Sequence, residues 1–121
     1  MVQLSKKKIN KKLEQQIYKL LYQVIADINN PQEAEEFLKD FLSKTELEVL
    51  AKRLGVAYYL KQNQDYDLIR KNLAISTTTV ATIKNQMNKK GFQLALKKIE
   101  TDQWATKWAQ KISKIMKFRR K

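Results

Sequence analysis

The scarcity of helix-breaking residues constrains the fold of this chain more than any other feature. Two glycines and one proline are spread over 121 residues, and the apolar residues recur mostly at steps of three and four, as on one side of a helix. No apolar run is long enough to cross a bilayer, and no signal peptide with a continuous apolar stretch is visible. We therefore predict an all-α protein of six or seven helices, a single domain over residues 1–121, located in the cytoplasm without membrane contact.

The first helix is expected to run from about Ser5 to Ile28. It is followed by Asn30, which can cap a second helix over about 31–42, with Pro31 at its first position. At roughly 35 Å, the first helix is longer than a small monomer needs. It is interpreted as a dimerisation element, and packing within its own subunit is the alternative.

A third helix is predicted to begin near Lys44 and to end near Lys61. Ser43 and Glu46 have the spacing of a capping box at its start. Gly55 lies inside it, where a close helix crossing would account for a missing side chain. Its expected apolar stripe consists of Leu47, Leu50, Leu54, Ala57 and Tyr58.

The charge of this chain is unevenly distributed. The formal net charge is +13, yet residues 27–48 hold seven acidic residues against two lysines, whereas residues 70–98 hold seven basic residues and no acid. Both ends are basic as well. A basic surface separated from an acidic one favours a polyanionic partner such as nucleic acid, and a set of solvated lysines is the alternative.

The absence of two residue types argues against catalysis. There is no cysteine and no histidine, which removes thiol nucleophiles, zinc–thiolate sites and the commonest general base. Glu14, Glu46 and Glu48 are carboxylates near basic groups, but nothing in the sequence brings them to one site. We predict that the protein is not an enzyme and binds no metal.

Residues 65–88 have the apolar spacing of a helix-turn-helix. Asp65 can cap a short helix, and Ser76 can cap a second one that continues to about Asn88. Ala74 stands at the turn, where glycine is usual. An ordinary helical hairpin is the alternative. Counted from Tyr66, the five apolar positions of the motif are Ile69, Leu73, Ile75, Val80 and Ile83.

The second helix of this motif has a polar side that is suited to DNA. Opposite its apolar residues lies a run of threonines, which form helix poorly but can contact phosphates, base edges and thymine methyl groups. The predicted base contacts are Ser76, Thr77, Thr78, Thr79 and Thr82. The predicted phosphate contacts are Lys71, Lys84, Asn85, Lys89 and Lys90.

Residues 37–99 resemble the tryptophan-repressor family, especially its poorly characterised bacterial TrpR-like branch. The resemblance rests on the Ser43–Glu46 box, the Leu50–Leu54 segment, the Ala74–Val80 turn and the Gly91–Leu96 segment. It implies an interlocked, two-fold homodimer that binds operator DNA as a transcriptional repressor, with paired recognition helices about one DNA turn apart.

The same resemblance implies an effector pocket between the third helix and the recognition helix. Ser43 and Arg53 match two of its positions and are the candidate effector-binding residues. Thr82 and Ile83, however, stand where a second arginine and a glycine are expected. The pocket therefore lacks a cation that would pair with a bound amino acid, and the Ile83 side chain fills space that a glycine would leave open. We therefore expect no cofactor, with an amino-acid corepressor as the alternative. Arg53 would then pair with an acid or touch DNA.

The segment 101–121 is predicted to be a basic helical extension. Gly91 is expected to break or cap the recognition helix, and Thr101 to cap a last helix in which Trp104 and Trp108 pack on one apolar side. Its basic side could reach DNA backbone or lie on acidic lipid. The functional prediction is a double-stranded DNA-binding regulator that reads a two-fold operator with residues 76–88; the alternative is a non-sequence-specific architectural DNA- or RNA-binding protein.

Overall fold

Six α-helices follow one another in the part of the chain that the structure describes. A computed structural model describes residues 8–101, 107, 110–112, 114 and 115. The residues described beyond position 101 are also helical, and the all-α prediction is confirmed. The helices are α1 (Lys11–Asp27), α2 (Pro31–Phe41), α3 (Lys44–Lys61), α4 (Tyr66–Leu73), α5 (Thr77–Gln86) and α6 (Lys90–Thr101).

The chain forms two compact units, residues 1–47 and 48–121. In the first unit, neither α1 nor α2 contains a buried residue. Apolar residues of α1 that recur at steps of three and four, Leu13, Ile17, Leu20 and Val24, form a stripe that is exposed along its length: Leu13 is 53% exposed and Leu20 is 65% exposed. The rings of Phe37 and Phe41 stack with their centroids 4.5 Å apart. This unit therefore presents apolar surface on α1.

The second unit has a hydrophobic core to which four helices contribute. Leu73, Ile75, Phe92 and Ile112 are partly buried and pack against that core. Burial raises the pKa of the Tyr59 phenol. Because the core joins α3, α4, α5 and α6, it fixes α4 and α5 to the body of this unit. The buried residues are Val56, Ala57, Tyr59, Ile69, Val80, Ile83 and Leu96.

The apolar stripe predicted for α3 is partly wrong. Ala57 is buried as expected, but Leu50 and Leu54 are 48% and 43% exposed, and Val56 and Tyr59 are buried instead. Helix α3 carries apolar residues on most of its circumference, so periodicity alone does not define one buried side. The positions of α4, α5 and α6 decide which of them is covered.

Side-chain caps determine where the first helices begin. The Asn10 side chain accepts hydrogen bonds from the backbone N–H groups of Lys12 and Leu13, so α1 begins at Lys11. The predicted start at Ser5 lies outside the described residues, and it is wrong because residues 8–10 are not helical. The Asn30 side chain likewise accepts from the N–H of Glu33 at 2.9 Å.

The capping box at the start of α3 is confirmed. The Ser43 hydroxyl accepts from the Glu46 N–H at 3.1 Å, and the Ser43 N–H donates to Glu46 Oε1 at 2.8 Å. Hydrogen bonding with Ser43 lowers the pKa of the Glu46 carboxyl. The Ser43 backbone has the larger effect and the Ser43 side chain the smaller one. The first turn of α3 is therefore closed by reciprocal bonds.

The structure corrects three expectations about the segment after the helix-turn-helix. Helix α5 ends at Gln86 rather than near Asn88. Gly91 does not cap it but lies in the first turn of α6, without a positive φ. Thr101 is itself helical in α6 and its hydroxyl donates to the Lys98 carbonyl at 3.3 Å, so it does not act as the cap of a following helix.

The C-terminal expectations fall largely outside the described residues, Trp104 and Trp108 included. Of the residues that are described there, Ile112 packs against the core and Ile115 is 81% exposed. No helix built by the described residues is both long and apolar enough to cross a membrane.

Candidate nucleic-acid interface

Local side-chain chemistry separates α4 from α5. The Asp65 carboxylate accepts from the Asp67 N–H at 3.1 Å, which starts α4. Ala74 ends this helix with φ 54° and ψ 53°, the left-handed conformation, and the Ile75 N–H donates to the Arg70 carbonyl at 3.1 Å. The Ser76 hydroxyl then accepts from the Thr79 N–H at 3.1 Å and caps α5.

The apolar positions of the motif hold these two helices against the core. Ile69 and Val80 are fully buried and Ile83 is 3% exposed, while Leu73 and Ile75 pack at the edge of the same cluster. The apolar spacing predicts this arrangement. Because Val80 and Ile83 occupy one side of α5, the opposite side of the helix faces solvent.

All five predicted base-contacting residues are exposed, but their hydroxyl groups are not equivalent. The hydroxyls of Ser76 and Thr79 share a hydrogen bond of 2.9 Å, and the Thr82 hydroxyl donates to the Thr78 carbonyl at 2.9 Å. In the described part of the chain, the hydroxyls of Thr77 and Thr78 have no hydrogen-bond partner. Ser76 and Thr79 thus serve the cap, and the Thr82 hydroxyl is engaged within the helix, whereas the exposed hydroxyls of Thr77 and Thr78 are unbonded.

The five predicted phosphate contacts are also exposed, and they surround the motif on several sides. Lys71 belongs to α4, Lys84 and Asn85 to α5, and Lys89 and Lys90 lie at the start of α6. Among the described residues, none of these lysines forms an ion pair. The Lys84 ammonium lies 5.2 Å from the centroid of the Tyr66 ring, so this lysine lies over α4 rather than beside the threonines.

The two predicted effector residues have different surroundings. Ser43 is engaged with Glu46 in the cap of α3. Arg53 donates from Nη2 to Gln86 Oε1 at 3.0 Å, and its guanidinium lies 5.7 Å from the centroid of the Phe92 ring. Arg53 therefore links α3 to α5 and α6, and it pairs with no acid among the residues described.

A small cleft of about 200 Å³ separates α3 from α5. Its walls come from α3 through Val49 and Arg53, and from α5 through Thr78, Thr82 and other residues of that side. Val49 and Arg53 also line a larger cleft of about 570 Å³, together with Phe92 of α6.

Sequence reasoning missed two contacts at this interface. Gln86 is not among the residues to which the sequence assigns a role, yet it bonds Arg53, 33 positions away. Tyr66 served only to mark the start of the motif, yet it lies under Lys84. No feature of the sequence predicts either contact, because both depend on how the helices cross. The described residues contain no cluster of acidic residues that could hold a metal ion.

Comparison with protein families identifies a match over most of this chain. The family model described as Trp repressor protein matches residues 15–100, which include α2 to α5 and most of α1 and α6. A search of curated proteins and a search of solved structures found no significant match.

Proposed function

The chain belongs to the Trp repressor family, a family of DNA-binding transcriptional regulators, and we propose that it is a repressor that reads a two-fold operator with α5. One observation carries this proposal. Val80 and Ile83 hold one side of α5 in the core, while Thr77 and Thr78 expose unbonded hydroxyls on the solvent side. A helix held in this way can enter a major groove and place short polar side chains against base edges.

Electrostatics supports a DNA partner. The net charge is +13, the first turn of α5 contains no acid, and the lysines around the motif are exposed. The N-terminus of α5 adds backbone N–H groups and the positive end of a helix dipole, which favour phosphate. If about six to ten phosphates are contacted, raising salt from about 50 to 200 mM should weaken binding by roughly 10³–10⁵.

The proposed reader is a homodimer, and exposed apolar surface supports this. Leu13, Ile17 and Leu20 are about half exposed or more on α1 in the first unit, and Val49 and Leu50 are about half exposed on α3 in the second. Monomers rarely leave large contiguous apolar patches in water. A second copy would cover such surface and would place two α5 helices on two half-sites about 34–36 Å apart.

We further propose that operator binding requires no cofactor. Thr82 and Ile83 stand where family resemblance leads one to expect an arginine and a glycine. An amino acid bound there would lack one cationic partner for its carboxylate. Thermal-shift screening of the amino acids tests this: a concentration-dependent rise in Tm with any of them contradicts the proposal. A regulator of this kind would work in the cytoplasm, with the DNA.

Selection of duplexes from a random pool by the purified full chain tests the central proposal. An enriched sequence with two-fold symmetry is the expected result. Equal retention of all sequences would instead identify an architectural DNA- or RNA-binding protein, and the absence of any retained duplex would remove the DNA-binding proposal altogether.

Threonine substitutions test which residues read the bases. Thr78→Ala together with Thr82→Ala should flatten sequence preference more than it lowers total affinity, because a hydroxyl and a methyl are lost while the lysines stay. Thr45→Ala is a matched control, since Thr45 is an exposed threonine in the first turn of α3. An equal loss of affinity on every duplex would argue against base reading by these residues.

The oligomeric state can be tested separately. Ile17→Lys places a charge within the exposed apolar stripe of α1, whereas Gln15→Lys places one on the opposite side of the same helix. Sedimentation equilibrium should show a dimer for the parent and for Gln15→Lys, and a weakened dimer for Ile17→Lys. A parent protein that is monomeric at micromolar concentration would contradict the proposal that a homodimer reads a two-fold operator.

A further inference from the structure

The hydrogen bond from Arg53 to Gln86 joins helices that are otherwise held together by apolar contact. The remaining side-chain hydrogen bonds of α5, in the described part of the chain, stay within the helix and its cap. Arg53 also lies against Phe92 on α6. Three helices therefore meet at one cationic side chain.

The core holds α5 through two residues near the middle of the helix, and the end of the helix beyond them is less constrained. Val80 and Ile83 are its two buried residues, and the hydrophobic effect that holds them is non-directional. The cleft between α3 and α5 leaves space on the side where Thr78 and Thr82 lie. Rotation of α5 about its buried residues would therefore move these threonines.

The Arg53–Gln86 hydrogen bond adds a directional contact at the end of α5, beside the contact of Lys84 with the Tyr66 ring. The Ser76 cap holds the first turn of α5, and Gln86, its last residue, is held by Arg53. A guanidinium is planar and donates along fixed directions, and it can stack on an aromatic ring at the same time. Phe92 restricts the guanidinium from α6, so the donor that reaches Gln86 is itself held in place.

We propose that Arg53 is a positioning residue for DNA reading: it sets the orientation of α5 through Gln86 and Phe92 and does not itself contact DNA. This inference rests on the proposed function. It assigns to the chain's own side chains a link between α3 and α5.

Binding measurements with four variants test the inference. Arg53→Met removes the charge and the donors, Arg53→Lys keeps the charge without the planar fork, and Gln86→Met removes the acceptor. Each is compared with the parent on the selected operator, as is the double variant with methionine at both positions. Lys52→Met is the control, because it removes a neighbouring charge of α3 that forms no ion pair within the described residues.

Each methionine substitution should weaken operator binding by about 5- to 15-fold, since one charge-assisted, solvent-exposed hydrogen bond is lost. The double variant should bind the operator about as tightly as the single variant with the lower affinity, because both changes remove the same bond. The slope of log affinity against log salt should stay unchanged, and Arg53→Lys should restore little. Circular dichroism should match the parent, and urea midpoints should fall by no more than one hydrogen bond contributes, since the buried residues of the core are unchanged.

Three results would overturn the inference. A salt slope reduced by about 0.9 in Arg53→Met, with rescue by lysine, would identify a phosphate contact instead. Additive losses in the double variant would show two independent roles. A changed selected sequence in Gln86→Met but not in Arg53→Met would show that Gln86 reads a base.

A measurement without DNA separates this inference from the proposed function. In the free protein, Arg53→Met should shift the NMR signals of the Thr78 and Thr82 methyl groups and leave that of Thr45 in place. Unshifted threonine methyls would refute the positioning role even if the parent binds an operator. Shifted methyls in a protein that selects no duplex would refute the DNA function alone.

Discussion

Replacement of Ala74 by glycine should stabilise the turn between α4 and α5. Ala74 has φ 54° and ψ 53°, a conformation that costs an L-residue roughly 1–2 kcal/mol because its Cβ crowds the following carbonyl. Glycine adopts it without that cost. The greater conformational entropy of glycine in the unfolded chain, however, reduces the gain in stability by about 0.4–1 kcal/mol. Ala74 is exposed, so its methyl group contributes little packing. The net gain should be about 0.5–1 kcal/mol.

The same substitution at Ala81 is the matched control. Ala81 is exposed in the middle of α5, where glycine costs about 1 kcal/mol relative to alanine. Urea unfolding followed by circular dichroism, at one fixed protein concentration because a dimer's stability depends on it, should raise the midpoint for Ala74→Gly and lower it for Ala81→Gly. A midpoint lowered by both variants to a similar degree would refute a strained left-handed turn at Ala74.

Three further changes test other parts of the structure. Gly55→Ala should stabilise the protein by about 0.5–1 kcal/mol, because an added Cβ would lie 3.6 Å from Leu73 Cδ1, an ordinary contact, and alanine favours a helix; a lower urea midpoint would show that the crossing cannot accept it. Ser76→Ala should cost about 0.5–2 kcal/mol of unfolding free energy through loss of the α5 cap, whereas an unchanged midpoint would count against that cap. The folded-state pKa of Glu46 is lowered. The stability that this carboxylate contributes to the fold is therefore fully present above its unfolded pKa, and it is lost as pH falls through the folded value. The parent should therefore lose stability relative to Glu46→Gln on acidification from about pH 7 to 3, and parallel urea midpoints over that range would contradict this.

Local signals predicted that these segments are helical, four of the helix caps and the turn between α4 and α5. Asn30, Ser43, Asp65 and Ser76 each cap the helix that follows them, because a short polar side chain before an apolar run needs only its own neighbours to satisfy N–H groups. The three-and-four spacing around Val80 likewise predicts which side of α5 is buried, since α5 has a single apolar side. Such features depend on residues a few positions apart, and sequence alone is sufficient for them.

Only the tertiary structure decided which side of α3 is covered and how α5 is held. Leu50 and Leu54 looked as suited to a core as Val56 and Tyr59, and the choice between them depends on where three later helices pack. The bond between Arg53 and Gln86 spans 33 positions, and neither residue type at either position announces the other. Contacts of this kind arise where helices distant in sequence cross. The residues next to Arg53 or Gln86 in the chain cannot predict the contact, because it depends on how the core positions the helices.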